Sequence, residues 1–214
     1  MYARLVAIVC LLNTGAVAGG FRTGDGKAVE LYLKSYRDAS PGVVKDLKAQ
    51  LIAVLRSAGL QIGWWSARDR LTGVDGDLIT IDLQGTCDPW AAPNRGMPSA
   101  PVALASTAVS DGRVLPFSQV DCTAVNRFLS VSLEALPASQ RERVYSRALA
   151  RLLAHEVYHV MTQSTAHRTS GIAKATVTPA DLIGEHFDFG GLRISEPRLP
   201  EQTAPALEEV TGTE

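Results

Sequence analysis

The chain has 214 residues, 46% of them hydrophobic, and a formal net charge of −1. That length fits one domain, or one domain with a tail, and the apolar share is enough for a packed core. The balanced charge gives no basic field of the kind nucleic-acid binding needs, so no nucleic-acid partner is expected.

The N-terminus reads as a secretory signal. Arg4 supplies a short positive region, residues 5–12 are apolar, and Ala16-Val17-Ala18 is an A-x-A cleavage site. The apolar run is too short to span a bilayer, so no stable membrane insertion is expected. The rival reading is a buried N-terminal helix. Cleavage after Ala18 would make the product secreted or periplasmic. It would also remove Cys10 and leave Cys87 and Cys122. An even pair in an oxidising compartment points to one disulfide, with two reduced thiols as the alternative.

Residues 29–36 alternate apolar and polar side chains and predict a strand. Ser40 and Pro41 read as the N-cap and first position of a helix over 40–58, which Gly59 ends. Residues 60–65 and 77–83 predict two further strands, and 102–109 a fourth, followed by the hairpin-type turn Asp111-Gly112. Of the neighbours Trp64 and Trp65, a strand sends one to the core. Residues 89–101 are rich in Pro, Gly and Ala and read as a loop. A short helix is expected over 123–133. Ser139 and Glu142 match a capping box that opens a long helix to about Met161. Residues 19–194 would then be one domain. Residues 195–214, with three prolines and five glutamates, read as a mobile acidic tail.

The long helix carries His155-Glu156-Val157-Tyr158-His159, and His167 follows. Three of the four histidines of the chain fall in this stretch. Residues four apart share a helix face, so His155 and His159 can present ring nitrogens to one ion. Ala148 and Leu152 continue that face and turn the pair inward, leaving Arg147 and Arg151 for the solvent side and Tyr145 and Tyr158 for packing. A continuing helix would place His167 about 12 Å beyond His159, so the chain must turn back for it to join them. The run Thr162-Gln163-Ser164-Thr165 suits a helix end, and Ser170-Gly171 marks a second turn. Glu185 and His186 are the alternatives for the third ligand. Two or three imidazoles, an open position for water and Glu156 to take its proton are what a zinc hydrolase needs.

These residues, with the following Ser170-Gly171-Ile172-Ala173, resemble zincin metallopeptidases and, within them, metzincin-like proteins. The likeness is greatest to a group of uncharacterised secreted bacterial members whose pattern runs H-E-x-x-H, seven residues, H, a short spacer and G-I-M. The better-known metzincins place the third histidine six residues after the second, with a glycine between. Here the gap is eight, Thr162 stands at the place of that glycine, and Ala173 replaces the methionine beneath the metal. No ligand is lost by these departures. The likeness is specific around the motif and loose over the N-terminal half.

The resemblance implies an α+β zincin-like fold, with a twisted mixed sheet, a backing helix and an active-site helix. It implies a secreted zinc-dependent endopeptidase, a monomer acting on peptide or protein substrates. One catalytic Zn²⁺ would sit on His155, His159 and His167, with Glu156 as general base. An extended substrate would pair with a strand edge over 102–109. Two other readings stay open: a zinc-containing binding module that cleaves nothing, and a hydrolase of non-peptide amides or esters.

Overall fold

The computed structural model describes residues 28–35, 38–65, 77–91 and 103–185. Residues 1–27 and 186–214, which hold the expected signal and tail, and most of the loop over 89–101 lie outside the described residues. The elements in order are β1 (Ala28–Ser35), α1 (Pro41–Ser57), β2 (Gln61–Trp65), β3 (Asp77–Gln84), β4 (Ala105–Ser110), β5 (Arg113–Asp121), α2 (Cys122–Glu134), α3 (Ala138–Thr162) and α4 (Pro179–Ile183). Among the described residues, no helix is long and apolar enough to cross a membrane.

The architecture is mixed α+β, with one five-stranded sheet in the order β2-β1-β3-β5-β4. Four strands are parallel, and edge strand β4 runs antiparallel to β5. Val29, Leu31, Leu33, Ile79 and Ile81 point to one face of the sheet and are buried. They meet Val43, Leu47, Leu51 and Leu55 of α1, which recur every four residues. This is the period-2 pattern of strands fitted to the helical period of α1, so both were legible. Ser40 caps α1, accepting from the Val43 N–H at 3.1 Å.

Several expectations need correction. The fourth strand begins at Ala105, and residue 102 lies outside the described part. A fifth strand, β5, was not foreseen, although Asp111 and Gly112 form the two-residue turn that feeds it, both with positive φ (50° and 74°). Neither tryptophan is fully buried. Trp64 packs partly against the core beneath Lys48 Nζ, 4.7 Å from its ring centre, and Trp65 meets Tyr32 edge-on. Both lie on the other edge strand, β2, where packing covers only part of a large ring.

The capping box expected at Ser139 and Glu142 does not form, because α3 starts at Ala138 with no side-chain cap. Glu142 instead accepts a 2.7 Å hydrogen bond from Ser40 Oγ, 102 residues away. It thereby clamps the start of α3 to the start of α1. Arg151, expected in solvent, is 4% exposed. It donates to the carbonyls of Asp181 and Gly184 at 2.8 and 2.6 Å, so its charge satisfies the last turn of α4. Tyr145 packs as expected, fully buried, with its hydroxyl on the Cys122 carbonyl.

Cys87 and Cys122 form the expected disulfide, joining the residues after β3 to the start of α2. Asn126 reinforces the join by donating to the carbonyls of Thr86 and Asp88. The closed loop spans a sequence separation of 35, for which loop entropy gives roughly 3–4 kcal/mol of stabilisation. Replacing both cysteines by alanine is expected to lower unfolding free energy by about that amount. Chemical denaturation in non-reducing buffer checks it, and an unchanged midpoint would show the bridge to be dispensable.

Candidate metal centre

Helix α3 is 25 residues long and lies against α1, β5, α4 and β4, so most of its sides are buried. Residues 145–161 carry nearly all of its core side chains, including Glu156 and His159. The helix ends where the sequence indicated, by a left-handed residue. Gln163 has φ 48°, and the N–H of Ser164 returns to the His159 carbonyl at 3.3 Å. A side chain at that φ is strained. The Gln163 amide offsets this by donating to the carbonyls of Val114 and Val160, at 3.1 and 2.9 Å. The chain then doubles back and brings His167 over the pair.

His155, His159 and His167 converge, with ligand nitrogens all within 4.8 Å of one another. The His167 ring stacks on His155 at 5.2 Å and stands edge-on to His159 at 4.9 Å. Glu185 is not among the converging groups, and His186 lies outside the described residues. Tyr158 is buried as expected, but its ring also meets His159 edge-on at 5.5 Å, so it packs against one of the three converging histidines.

The tautomers follow from the neighbours. His155 Nδ1 lies 2.5 Å from the Ile172 carbonyl and His159 Nδ1 lies 2.6 Å from the Ser164 carbonyl. A carbonyl only accepts, so each Nδ1 carries a proton and donates. In the neutral rings both Nε2 atoms are then bare lone pairs, and they lie 2.9 Å apart. Two such lone pairs repel unless a cation sits between them. The orienting carbonyls are the kind of outer support that metal-binding histidines use. The Ser170–Ala173 segment supplies one of them, with Ile172 and Ala173 buried and the Arg168 N–H closed on the Ala173 carbonyl at 2.8 Å. The three histidines can therefore hold a metal ion.

Burial pushes His155 and His159 below the usual imidazole range, against the raising effect of their carbonyl partners. This favours the neutral rings that metals bind. Burial likewise pushes the Glu156 carboxyl above its usual range, opposed by a hydrogen bond from Thr107 and by the nearby histidines. Glu156 is 6% exposed. Thr107 Oγ1 donates to its Oε2 at 2.6 Å. Sequence reasoning missed Thr107, since nothing near it in the chain marks it as a partner of the motif.

These groups open into a cleft of about 970 Å³. Ala105, Ser106 and Thr107 of β4 form one wall, and residues from Thr165 to Val177 the other. Phe128, Leu152 and Val177 give it apolar surface. No protein-family model matches the chain, and no curated protein sequence matches it.

Proposed function

We propose that this protein is a zinc-dependent endopeptidase of zincin-like fold, exported from the cytoplasm by a signal segment that is cleaved behind Ala18. The observation that carries the reading is Glu156, a buried carboxylate one residue from His155, beside three converging imidazoles in an open cleft. A structural zinc takes four protein ligands and has no use for a base at its side. Three histidines are instead the complement of a catalytic site. The five-stranded mixed sheet, with α1 backing it and α3 carrying the histidines, supports the fold assignment.

His155, His159 and His167 would hold Zn²⁺ as neutral imidazoles. When bound, the ion supplies Lewis acidity towards a carbonyl and acidifies a water molecule. Glu156 takes a proton from the attacking water and passes it to the leaving amine nitrogen. The outer side of β4 is a free strand edge among the described residues, and an extended peptide can add to it by backbone hydrogen bonds. The apolar cleft surface receives a side chain of that peptide.

Metal analysis of the purified mature protein, with cleavage of a mixed peptide library, tests this. One zinc per chain is expected, with cleavage that a chelator abolishes and added zinc restores. One zinc with no peptide cleavage would favour a binding module or a hydrolase of non-peptide amides or esters. No metal would overturn the reading.

A further inference from the structure

The hydrogen bond from Thr107 to Glu156 belongs to a longer chain. Thr107 Oγ1 lies 2.6 Å from Glu156 Oε2, 3.3 Å from the Glu156 carbonyl oxygen and 3.1 Å from Ser118 Oγ. A hydroxyl has one proton. The ionised carboxylate is both the nearest and the strongest acceptor, so the Thr107 proton goes there. Ser118 is 2% exposed, and a buried hydroxyl must place its own proton. Thr107 Oγ1 still has lone pairs and is within reach. The order is therefore fixed: Ser118 donates to Thr107, and Thr107 donates to Glu156.

The backbone is shaped around this chain. Thr107 and Ser118 are directly paired across β4 and β5, and the register breaks immediately after them. The next pair is Val109 with Val114, so residues 115–117 of β5 face only Ala108 of β4. Pro116, which has no N–H to give the ladder, lies in that excess. Such bulges recur beside active sites, where they re-aim a side chain. Among the described residues, Glu156 Oε1 makes no hydrogen bond, so only one oxygen of the carboxylate is tied.

We infer that Thr107, backed by Ser118, is a positioning residue for the hydrolysis: it pins Glu156 through Oε2 and leaves Oε1 for the attacking water. The inference rests on the hydrolase reading given above. It adds that β4 serves twice, aligning the base from the same strand whose outer edge takes the substrate.

The test uses the full zinc-loaded chain. Thr107→Val keeps size and β-branching and removes only the hydroxyl, whereas Thr107→Ser keeps the hydroxyl. Thr107→Val is expected to lower kcat by about 10- to 100-fold, the range for losing an outer partner of a metal site. KM should stay within about two-fold and zinc content unchanged. Thr107→Ser should restore most of kcat. Ser118→Ala should give a smaller loss in the same direction, and it keeps the test open if Thr107→Val does not fold. Crystal structures of the parent and Thr107→Val give a readout independent of turnover, with Glu156 in one conformer in the parent and displaced or split in the variant. An unchanged kcat in Thr107→Val, or a Thr107→Ser variant as slow as Thr107→Val, overturns the inference and leaves the hydrolase reading standing. A parent that cleaves nothing overturns the hydrolase reading instead. The Glu156 conformers then decide the pinning, and a carboxylate unmoved by Thr107→Val overturns it.

Discussion

Glu156→Gln is expected to abolish cleavage while leaving the metal in place. Gln has the shape of Glu and can still accept the Thr107 hydrogen bond at Oε1, but it cannot take up a proton at neutral pH. Loss of a general base lowers rate by about 10²- to 10⁴-fold, and kcat/KM on any peptide found in the library screen would read it. Stability should move the other way. Burial already disfavours the Glu156 charge, so a neutral amide relieves a desolvation penalty and the melting temperature should hold or rise. The combination of a dead site, full zinc and an intact fold separates catalysis from structure. A variant that cleaves as fast as the parent would remove Glu156 from the mechanism.

His167→Ala should show the complementary pattern, with zinc affinity lost and the fold unaffected. His167 is exposed, so its truncation in the metal-free protein should stay within about 0.5 kcal/mol, as for most surface changes. Among the described residues it is nonetheless one of three converging candidate ligands. Loss of an outer partner typically weakens a metal site by about 10- to 100-fold, and loss of a ligand should exceed that. Competition against a chromophoric chelator would measure it. Unchanged affinity would show that Glu185 or His186 completes the site, or that two histidines suffice.

The parts of the fold that were legible in the sequence are those whose signals are local. β1, α1, β2 and β3 follow from period-2 and helical spacing and from the Ser40 cap, and their ends fall within a few residues of expectation. The convergence of His155 and His159 follows from helix geometry, and that of His167 from the need to turn back. What was missed depends on partners far along the chain. β5 escaped because Pro116 and the register break destroy its alternation. The capping box at Ser139 failed because α3 starts at Ala138, and Glu142 pairs instead with Ser40 in a contact that spans 102 residues. Arg151 reads as a solvent residue until α4 lays its carbonyls over it. The α4 start at Thr178, with Pro179 and Asp181, carries a capping box that does form, but a five-residue helix leaves no periodicity to notice.

The two halves of the centre also differ in how they are assembled. The three histidines and both carbonyls that orient them fall within residues 155–172, and the longest of these contacts spans 17 residues. The bond that aligns Glu156 spans 49. Short loops close with less loss of chain entropy than long ones, so the ion-binding half needs only the end of α3 and its return segment. The Thr107–Glu156 bond needs the sheet edge as well. A cation captured by that local segment would stabilise it by mass action before β4 arrives. The ion would then act first as a folding ligand, and on the proposed reading proteolytic competence would come last, once the rest of the domain is already closed around its own cleavable chain.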